Sequence, residues 1–169
     1  QLVFDRTPFY GNSGGQIGDI GYIENADERI AVVATEKENG LIIHIVNQLP
    51  ENPAAEFTAR VDPEKRQAAA NNHTATHLLD AALKQILGEH VSQAGSLVTP
   101  EHLRFDFTHF EALSSEQLKA VEDLVNQQIF ASKPVVTRVM GIDEAKAAGA
   151  VALFGEKYGD VVRVVSVGA

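Results

Sequence analysis

The sequence contains no cysteine, no long hydrophobic run and an unusually small share of basic residues. The lack of cysteine excludes disulfide bonds and thiolate metal ligands within the chain. A membrane-spanning helix needs about 20 apolar residues, so no membrane partner is expected. The 14 Lys and Arg residues against 23 Asp and Glu residues give a net charge of −9. That balance argues against tight binding of nucleic acid by this chain alone, because such proteins are usually basic.

The start of the chain lacks an initiating methionine and the pattern of a signal peptide, since no basic stretch precedes an apolar one. We therefore expect the chain to begin inside a longer protein or after processing. The 169 residues suffice for one large domain or two small ones with a buried core. Hydrophobic residues at 44% and charged residues at 22% are typical of a soluble globular protein.

Residues 1–61 are rich in glycine, asparagine, isoleucine and valine, and they contain several short apolar runs. The predicted strands are 2–4, 19–24, 29–35, 41–46 and 57–61. Asn39-Gly40 is a strong hairpin signal. Many short strands separated by turns predict a small, Gly-rich N-terminal β-barrel.

Residues 62–169 predict an α+β domain, with helices on one face of a mainly antiparallel sheet in two layers. Asp62-Pro63 has the signature of a helix start, and an apolar stripe continues that helix to about Gly88. The elements predicted after it are a strand at 103–107, a helix opened by Ser114 and Gln117 and ended by Pro134, a strand at 135–140, a short helix at 143–148 closed by Gly149, and strands at 151–154 and 161–167.

His73 and His77 are the strongest chemical signal in the sequence. They lie four residues apart on the long predicted helix, so both rings project from one face. Imidazole nitrogens at that spacing can chelate one zinc ion, although two surface histidines have the same spacing. In the zinc-protease helix a glutamate follows the first histidine directly. Here that position is Thr74, so the pair does not indicate a protease.

Four other residues have both a structural and a functional interpretation. Thr76 is either a helix-surface hydroxyl or a polar group at the rim of a metal pocket, where it could bond a substrate hydroxyl. Gly14 and Gly15, followed by Gln16, form either a tight turn or a backbone that approaches a partner closely.

Downstream of the long helix, polar residues offer further candidates. Gln93 and Ser96 flank Gly95 and are either ordinary loop residues or donors at a pocket edge. Arg104 and Asp106 share one strand face, where they pair with each other or face the pocket. The remaining histidines have no ligand spacing and are expected on the surface or in strands; they are His44, His90, His102 and His109.

Four segments, taken in this order, resemble the editing region of alanyl-tRNA synthetases. They are DRTPFY at 5–10 with GGQ at 14–16 and Asp19, HTATHLL at 73–79, VSQAGS at 91–96 with LRFDF at 103–107, and ALFGEKYG at 152–159. The metal-helix segment is shared with threonyl-tRNA synthetase editing domains. The GGQ segment beside TPFY is typical of the alanyl branch and of its free-standing trans-editing relatives. The resemblance implies a small barrel carrying the Gly-rich segment and an editing domain carrying the metal helix.

The resemblance also implies an activity. It is hydrolysis of the ester bond in tRNA(Ala) wrongly charged with serine or glycine, in support of accurate alanine–tRNA ligation. His73 and His77 would hold zinc, which activates water, orients the substrate, or does both. Thr76 and Gln93 would act in catalysis and in recognition of the serine. The implied substrate-binding residues are Gly14, Gly15, Gln16 and Asp106, together with Thr76 and Gln93.

The implied partners are the acceptor end of tRNA(Ala) and the other domains of a cytoplasmic, ATP-binding synthetase. The family completes its metal site with a Cys and a His beyond the last strand, whereas this chain stops at Ala169 and has no Cys. Structural zinc sites have four ligands. We therefore expect this chain to bind zinc weakly or not at all, and to be inactive or weakly active by itself. The alternatives are a non-catalytic tRNA-binding module and a free-standing trans-editing hydrolase.

Overall fold

The computed structural model describes residues 1–151 and 158–168. Its strands are β1 (Gly21–Glu24), β2 (Arg29–Glu38), β3 (Leu41–Val46), β4 (Thr58–Val61), β5 (Gln93–Val98), β6 (Leu103–Phe107), β7 (Val135–Gly141) and β8 (Val161–Val167), and its helices are α1 (Pro63–Leu87), α2 (Ser115–Phe130) and α3 (Ile142–Ala147). The predicted mixture of helices and antiparallel strands is confirmed. Residues 152–154 of the strand predicted at 151–154, and most of the ALFGEKYG segment, lie outside the described residues.

The first four strands form an antiparallel sheet in the order β3-β2-β1-β4 around a core that includes Phe9, Ile23 and Ile30. The Asn39-Gly40 hairpin between β2 and β3 is confirmed, with both residues at positive φ. The predicted barrel is not confirmed, because the sheet of the described residues is open, with β3 and β4 at its edges. The segment at 2–4, which was predicted to be a strand, contributes only an isolated bridge between Leu2 and His44.

Helix α1 is the longest element in the described residues, with 25 residues, and it begins and ends as predicted. Asp62 caps its start, where the carboxylate accepts hydrogen bonds from the backbone N–H groups of Glu64 and Lys65 at 3.0 Å each. Pro63 occupies the first turn, and Gly88 ends the helix at φ 115°. Helix α1, which carries the histidine pair, packs against β5 and β6.

Strand β5 was not predicted, because Gln93 to Ser96 have low strand propensity and were interpreted as loop residues. The strand forms nevertheless, since it pairs antiparallel with the strongly strand-forming LRFDF segment of β6. Strands β7 and β8 form another two-stranded sheet. The single sheet predicted for residues 62–169 is therefore divided into two pairs within the described residues.

The chain divides into two compact units, Gln1–Ala112 and Leu113–Ala169. The first contains the Gly-rich segment, the four-stranded sheet, α1 and the β5–β6 pair. The division falls at a different point from the change in composition at residues 61 and 62, and the domain boundary proposed there stays a prediction.

The second unit contains α2, β7, α3 and β8. The capping box that opens α2 is confirmed: Ser114 Oγ accepts from Gln117 N at 3.2 Å, and Gln117 Oε1 accepts from Ser114 N at 2.8 Å. The helix ends at Phe130, before Pro134, and Ser132 beyond it has a positive φ of 48°. Among the described residues, no helix combines the length and apolar character needed to cross a membrane.

Candidate functional site

The two histidines of α1 lie side by side. Their ring centroids are 5.3 Å apart and the ring planes differ by 12°. His73 is half-buried and His77 is exposed, so both rings lie on the same side of the helix near its surface, as the spacing predicted. Imidazole suits zinc as a donor, and the pair fits as two ligands of such a site. The part of the chain that the structure describes contains no group of three or more His, Cys, Asp or Glu residues able to hold a metal ion.

A glutamine from the Gly-rich segment contacts the first of these histidines. Gln16 Oε1 lies 2.7 Å from His73 Nδ1, although the two residues are 57 positions apart in the chain. Gln16 is 7% exposed, so this is a largely buried contact. It brings two of the segments that carried the resemblance into direct contact.

The Gly-rich segment is a tight turn held by its own backbone. Ser13 and Gln16 exchange two backbone hydrogen bonds, at 3.1 and 3.0 Å. Gly14 and Gly15 between them have φ values of 58° and 80°, a conformation that glycine adopts without a steric penalty. Tyr10 Oη donates to the carbonyl oxygen of Ser13 at 3.0 Å. The tight-turn interpretation of this segment is confirmed.

The turn also lies against strand β5. The carbonyl oxygen of Gly15 accepts from Val98 N at 2.7 Å, and Ile17 N donates to the carbonyl oxygen of Val98 at 3.1 Å. A Cβ atom at position 15 would overlap the side chain and backbone of Ser96. Position 15 therefore requires glycine, because its backbone lies too close to strand β5 to leave room for a side chain.

Thr76 is buried at 6% exposure, so the helix-surface interpretation of its hydroxyl is wrong. Its Oγ1 donates to the carbonyl oxygen of Asn72 one turn earlier, at 2.8 Å. The hydroxyl oxygen retains lone pairs that can accept from a further donor. Recognition of a substrate hydroxyl through this oxygen stays a prediction.

Gln93 is the first residue of β5, and its side-chain amide donates to Ser96 Oγ at 3.1 Å. Ser96 is the residue against which Gly15 packs, so Gln93 lies near the Gly-rich turn.

Asp106 lies on the opposite face of the same strand pair. In the β5–β6 register Ser96 is opposite Phe105 and Gly95 is opposite Asp106. Because opposite residues project to one face and successive residues to opposite faces, Asp106 lies on the other face of the sheet from Ser96.

The predicted pairing of Arg104 with Asp106 is confirmed, with Arg104 Nε 3.2 Å from Asp106 Oδ2 at the exposed surface. The structure thus brings the Gly-rich turn, the first histidine and the polar residues of β5 together. It does not bring Asp106 into that group by any hydrogen bond or ion pair between described residues.

An ion pair that the sequence did not predict joins α1 to Asp19, three residues after the Gly-rich turn. Arg66 forms hydrogen bonds with both carboxylate oxygens of Asp19, a side chain that is only 4% exposed. The same carboxylate accepts from Tyr10 N at 2.6 Å, and Arg66 also donates to the carbonyl oxygen of Pro8 at 2.8 Å. The hydrogen bond with Asp19 raises the pKa of Arg66. Arg66 precedes His73 by seven residues, or about two helical turns. That spacing places both residues on one helix face, and it is the sequence signal that could have indicated that Arg66 lies on the side of the candidate site.

His44 lies in a strand, as one of the two sequence interpretations predicted, but its side chain is entirely buried. Its ring lies edge-on to Phe4 and Phe9, with Nε2 2.8 Å from Thr7 Oγ1 and Nδ1 3.2 Å from the carbonyl oxygen of Leu2. Burial lowers the pKa of His44, and the hydrogen bond to Leu2 opposes that shift in part. The residue belongs to the core of the four-stranded sheet.

The three other histidines have contacts of their own. His90 and His109 stack on each other with Nε2 and Nδ1 2.8 Å apart, and His102 is exposed beside Thr99.

Comparison with known proteins gives two kinds of match. Residues 1–65 match the family model for class II tRNA synthetases (A). The chain is 57% identical over 170 aligned residues to the alanine–tRNA ligase of Bacteroides fragilis, a match that covers 100% of this chain and 20% of the ligase. The alanine–tRNA ligases of Acetivibrio thermocellus and Pseudomonas fluorescens are 53% and 52% identical to it, each over 99% of this chain and 19% of the ligase. The chain thus spans about a fifth of the length of these curated relatives.

Proposed function

We propose that this chain is a segment of an alanine–tRNA ligase, and that it carries part of a site that hydrolyses tRNA(Ala) mischarged with serine or glycine. Its 57% identity to such a ligase along its whole length supports the first statement. The contact between Gln16 and His73 is the observation that carries the second. It joins the Gly-rich segment to the first histidine of the pair, and both belong to the four segments that resemble an editing region.

The reaction is the addition of water to an ester that joins an amino acid to the terminal ribose. The bond from the carbonyl carbon to the ribose oxygen breaks, the ribose oxygen takes a proton, and the free amino acid and tRNA are released. His73 and His77 would hold zinc, which when bound supplies a Lewis acid beside the ester. Because such an ester is already labile, positioning contributes much of the required rate.

Selection of serine is assigned to Thr76 and Gln93. The Thr76 hydroxyl already donates to Asn72, so it would accept a hydrogen bond from the serine hydroxyl. For seryl esters, a buried polar group of this kind discriminates against alanyl esters, which lack the hydroxyl, much better than an apolar pocket rejects a methyl group. Glycyl esters would not use this contact. Gln93, placed on β5 near the Gly-rich turn, would line the same pocket.

The net charge of −9 bears on the RNA partner. Affinity for tRNA comes largely from neutralised phosphates, so the remaining domains of the ligase would supply most of it. This chain would contact the acceptor end. A non-catalytic tRNA-binding module is the second candidate, and it is favoured by one observation: the described residues provide two metal ligands and no larger cluster.

A deacylation assay on Ser-tRNA(Ala) tests the proposal. The chain is compared with a version extended into the following segment of the ligase, both supplied with zinc. We expect the extended version to release serine, to spare Ala-tRNA(Ala), and to be far more active than the chain alone. An extended, zinc-loaded protein that binds the RNA and releases no serine would support the non-catalytic module instead.

A further inference from the structure

The backbone of Gln16 is held in place by hydrogen bonds that do not involve helix α1. Its backbone N–H and carbonyl are both bonded to Ser13 across the turn. The residues on either side of it are bonded to Val98 of β5, so the turn cannot rotate freely. The side chain of a 7% exposed glutamine is thereby directed at one nitrogen of one imidazole. A role in substrate binding alone would not require the Gln16 side chain to contact this one ring nitrogen of His73.

We propose that Gln16 is a positioning residue that sets the tautomer and ring orientation of His73. A neutral imidazole carries one proton, on either Nδ1 or Nε2. The glutamine carbonyl oxygen can only accept a hydrogen bond, so its place 2.7 Å from Nδ1 puts the proton on Nδ1. The lone pair of the ring is then on Nε2, the nitrogen through which His73 would bind zinc.

Histidines that bind metals commonly donate their other N–H to a carbonyl or carboxylate, which fixes the ring and raises its basicity. Gln16 would perform that function from a different segment of the chain. The reverse orientation of the amide would donate to Nδ1 and place the proton on Nε2, where it would block the metal. The inference rests on the proposed function in taking His73 as a ligand, whereas the tautomer itself is measurable without any metal.

The test is nitrogen NMR of the histidine side chains in the ¹⁵N-labelled, metal-free chain. At about pH 8.5, above the ordinary histidine pKa, the spectrum distinguishes protonated from unprotonated ring nitrogens. We expect His73 in the unsubstituted chain to be protonated on Nδ1. Gln16→Met keeps the size of the side chain but removes the acceptor, so it should shift His73 toward the Nε2-protonated form. Gln16→Glu keeps an acceptor and should retain the Nδ1 proton.

The two variants separate positioning from a merely structural role. A structural role would give Gln16→Met and Gln16→Glu the same tautomer of His73. His73 protonated on Nε2 in the unsubstituted chain would overturn the proposal even if neither variant folds. An unchanged tautomer in a folded Gln16→Met variant would also overturn it. Failure of the proposed function would appear differently, as absent serine release while the Nδ1 proton of His73 is present.

Discussion

Three buried polar side chains in the unit Gln1–Ala112 have specific hydrogen-bond partners. Gln16 contacts His73, the carboxylate of Asp19 is bonded to Arg66, and Thr76 donates to its own helix. A buried polar group without a partner costs about 1–3 kcal/mol. An alternative packing that separated the turn from α1 would carry such a cost at Gln16 and Asp19, whereas Thr76 would keep its partner within the helix. The partners therefore select one arrangement of the turn against the helix.

His44 makes stability depend on pH. Burial lowers its pKa below the ordinary 6.5, so the unfolded chain binds a proton that the folded protein resists. The contribution of neutral His44 to stability is fully present at a pH above the pKa that His44 has in the unfolded chain. It is lost as the pH falls toward the lower pKa that His44 has in the folded protein. We expect the free energy of unfolding in urea to decrease between about pH 7 and pH 5, and His44→Gln to weaken that decrease.

The matched control is His102→Gln, which removes a histidine from an exposed turn. It leaves the buried His44 in place, so it should keep the decrease of the unsubstituted protein. A His44→Gln variant with the same dependence on pH as that control would contradict the account.

Gly15 should be less tolerant of a side chain than its neighbour. Gly14 and Gly15 both have positive φ, so alanine at either position costs about 1–2 kcal/mol of backbone strain. Only at position 15 does the new Cβ meet β5, whereas at position 14 the nearest atom is Tyr10 Oη at 3.9 Å. We expect Gly15→Ala to lower the free energy of unfolding by about 1–3 kcal/mol more than Gly14→Ala. Equal losses in urea denaturation would mean that the turn does not lie against the strand.

Among the elements, α1 could be predicted from sequence because its signals are local. Asp62-Pro63, the apolar stripe and Gly88 lie within the helix or at its ends. Strand β5 could not be predicted, because its Gln-Ala-Gly-Ser run becomes a strand only through pairing with β6. The same limit applies to the expected barrel, since short apolar runs do not show whether the edges of a sheet pair.

Contacts at the candidate site were predictable only in part. The shared helix face of His73 and His77 follows from their spacing. The contact of Gln16 with His73 joins residues 57 positions apart, so no local pattern contains it. The burial of His44 likewise depends on Phe4 and Phe9, which come from a segment about 40 positions earlier with no regular strand of its own.

The ion pair between Asp19 and Arg66 should contribute measurably to the attachment of α1. Asp19→Asn removes the charge that the guanidinium group engages through both oxygens. We expect a loss of about 2 kcal/mol in the free energy of unfolding. A larger loss is not expected, since water can solvate the 40% exposed side chain of Arg66. Urea denaturation of both proteins gives the difference directly.

A pair at the surface of the same helix serves as the control. Lys65 and Glu101 are 2.6 Å apart, but their side chains are 47% and 60% exposed. Glu101→Gln should therefore change the free energy of unfolding very little, because exposed ion pairs are solvated by water in both states. Should Asp19→Asn cost no more than Glu101→Gln, the buried pair does not fasten the helix.

At the scale of the whole molecule, we expect incomplete metal ligation and acidic charge to limit what this chain does by itself. The described residues supply the two imidazoles of α1 and no larger cluster, and the sequence offers no thiolate. The net charge of −9 opposes the approach of RNA. The chain spans about a fifth of the alanine–tRNA ligase that it matches, and we propose that other parts of such a ligase supply further metal ligands and contacts to RNA.

Zinc content is the first consequence at this scale. The purified chain should hold well below one equivalent of zinc by elemental analysis, because two imidazoles are half of an ordinary zinc site. Added zinc should be removed readily by a chelator. One tightly held equivalent per chain would show that this chain contains a complete site.

Binding of tRNA(Ala) is the second consequence. The isolated chain should bind it weakly in a filter or fluorescence assay, because few phosphates would be neutralised. A tight complex that weakens steeply with salt would contradict this expectation.

Serine release from Ser-tRNA(Ala) by an alanine–tRNA ligase that contains this chain tests the central claim most directly. His73→Ala and His77→Ala are compared with the unsubstituted ligase, and charging of tRNA with alanine is measured in parallel. We expect both variants to lose serine release while alanine charging continues at its normal rate. Undiminished serine release by either variant would show that the histidine pair of α1 is not part of the hydrolytic site.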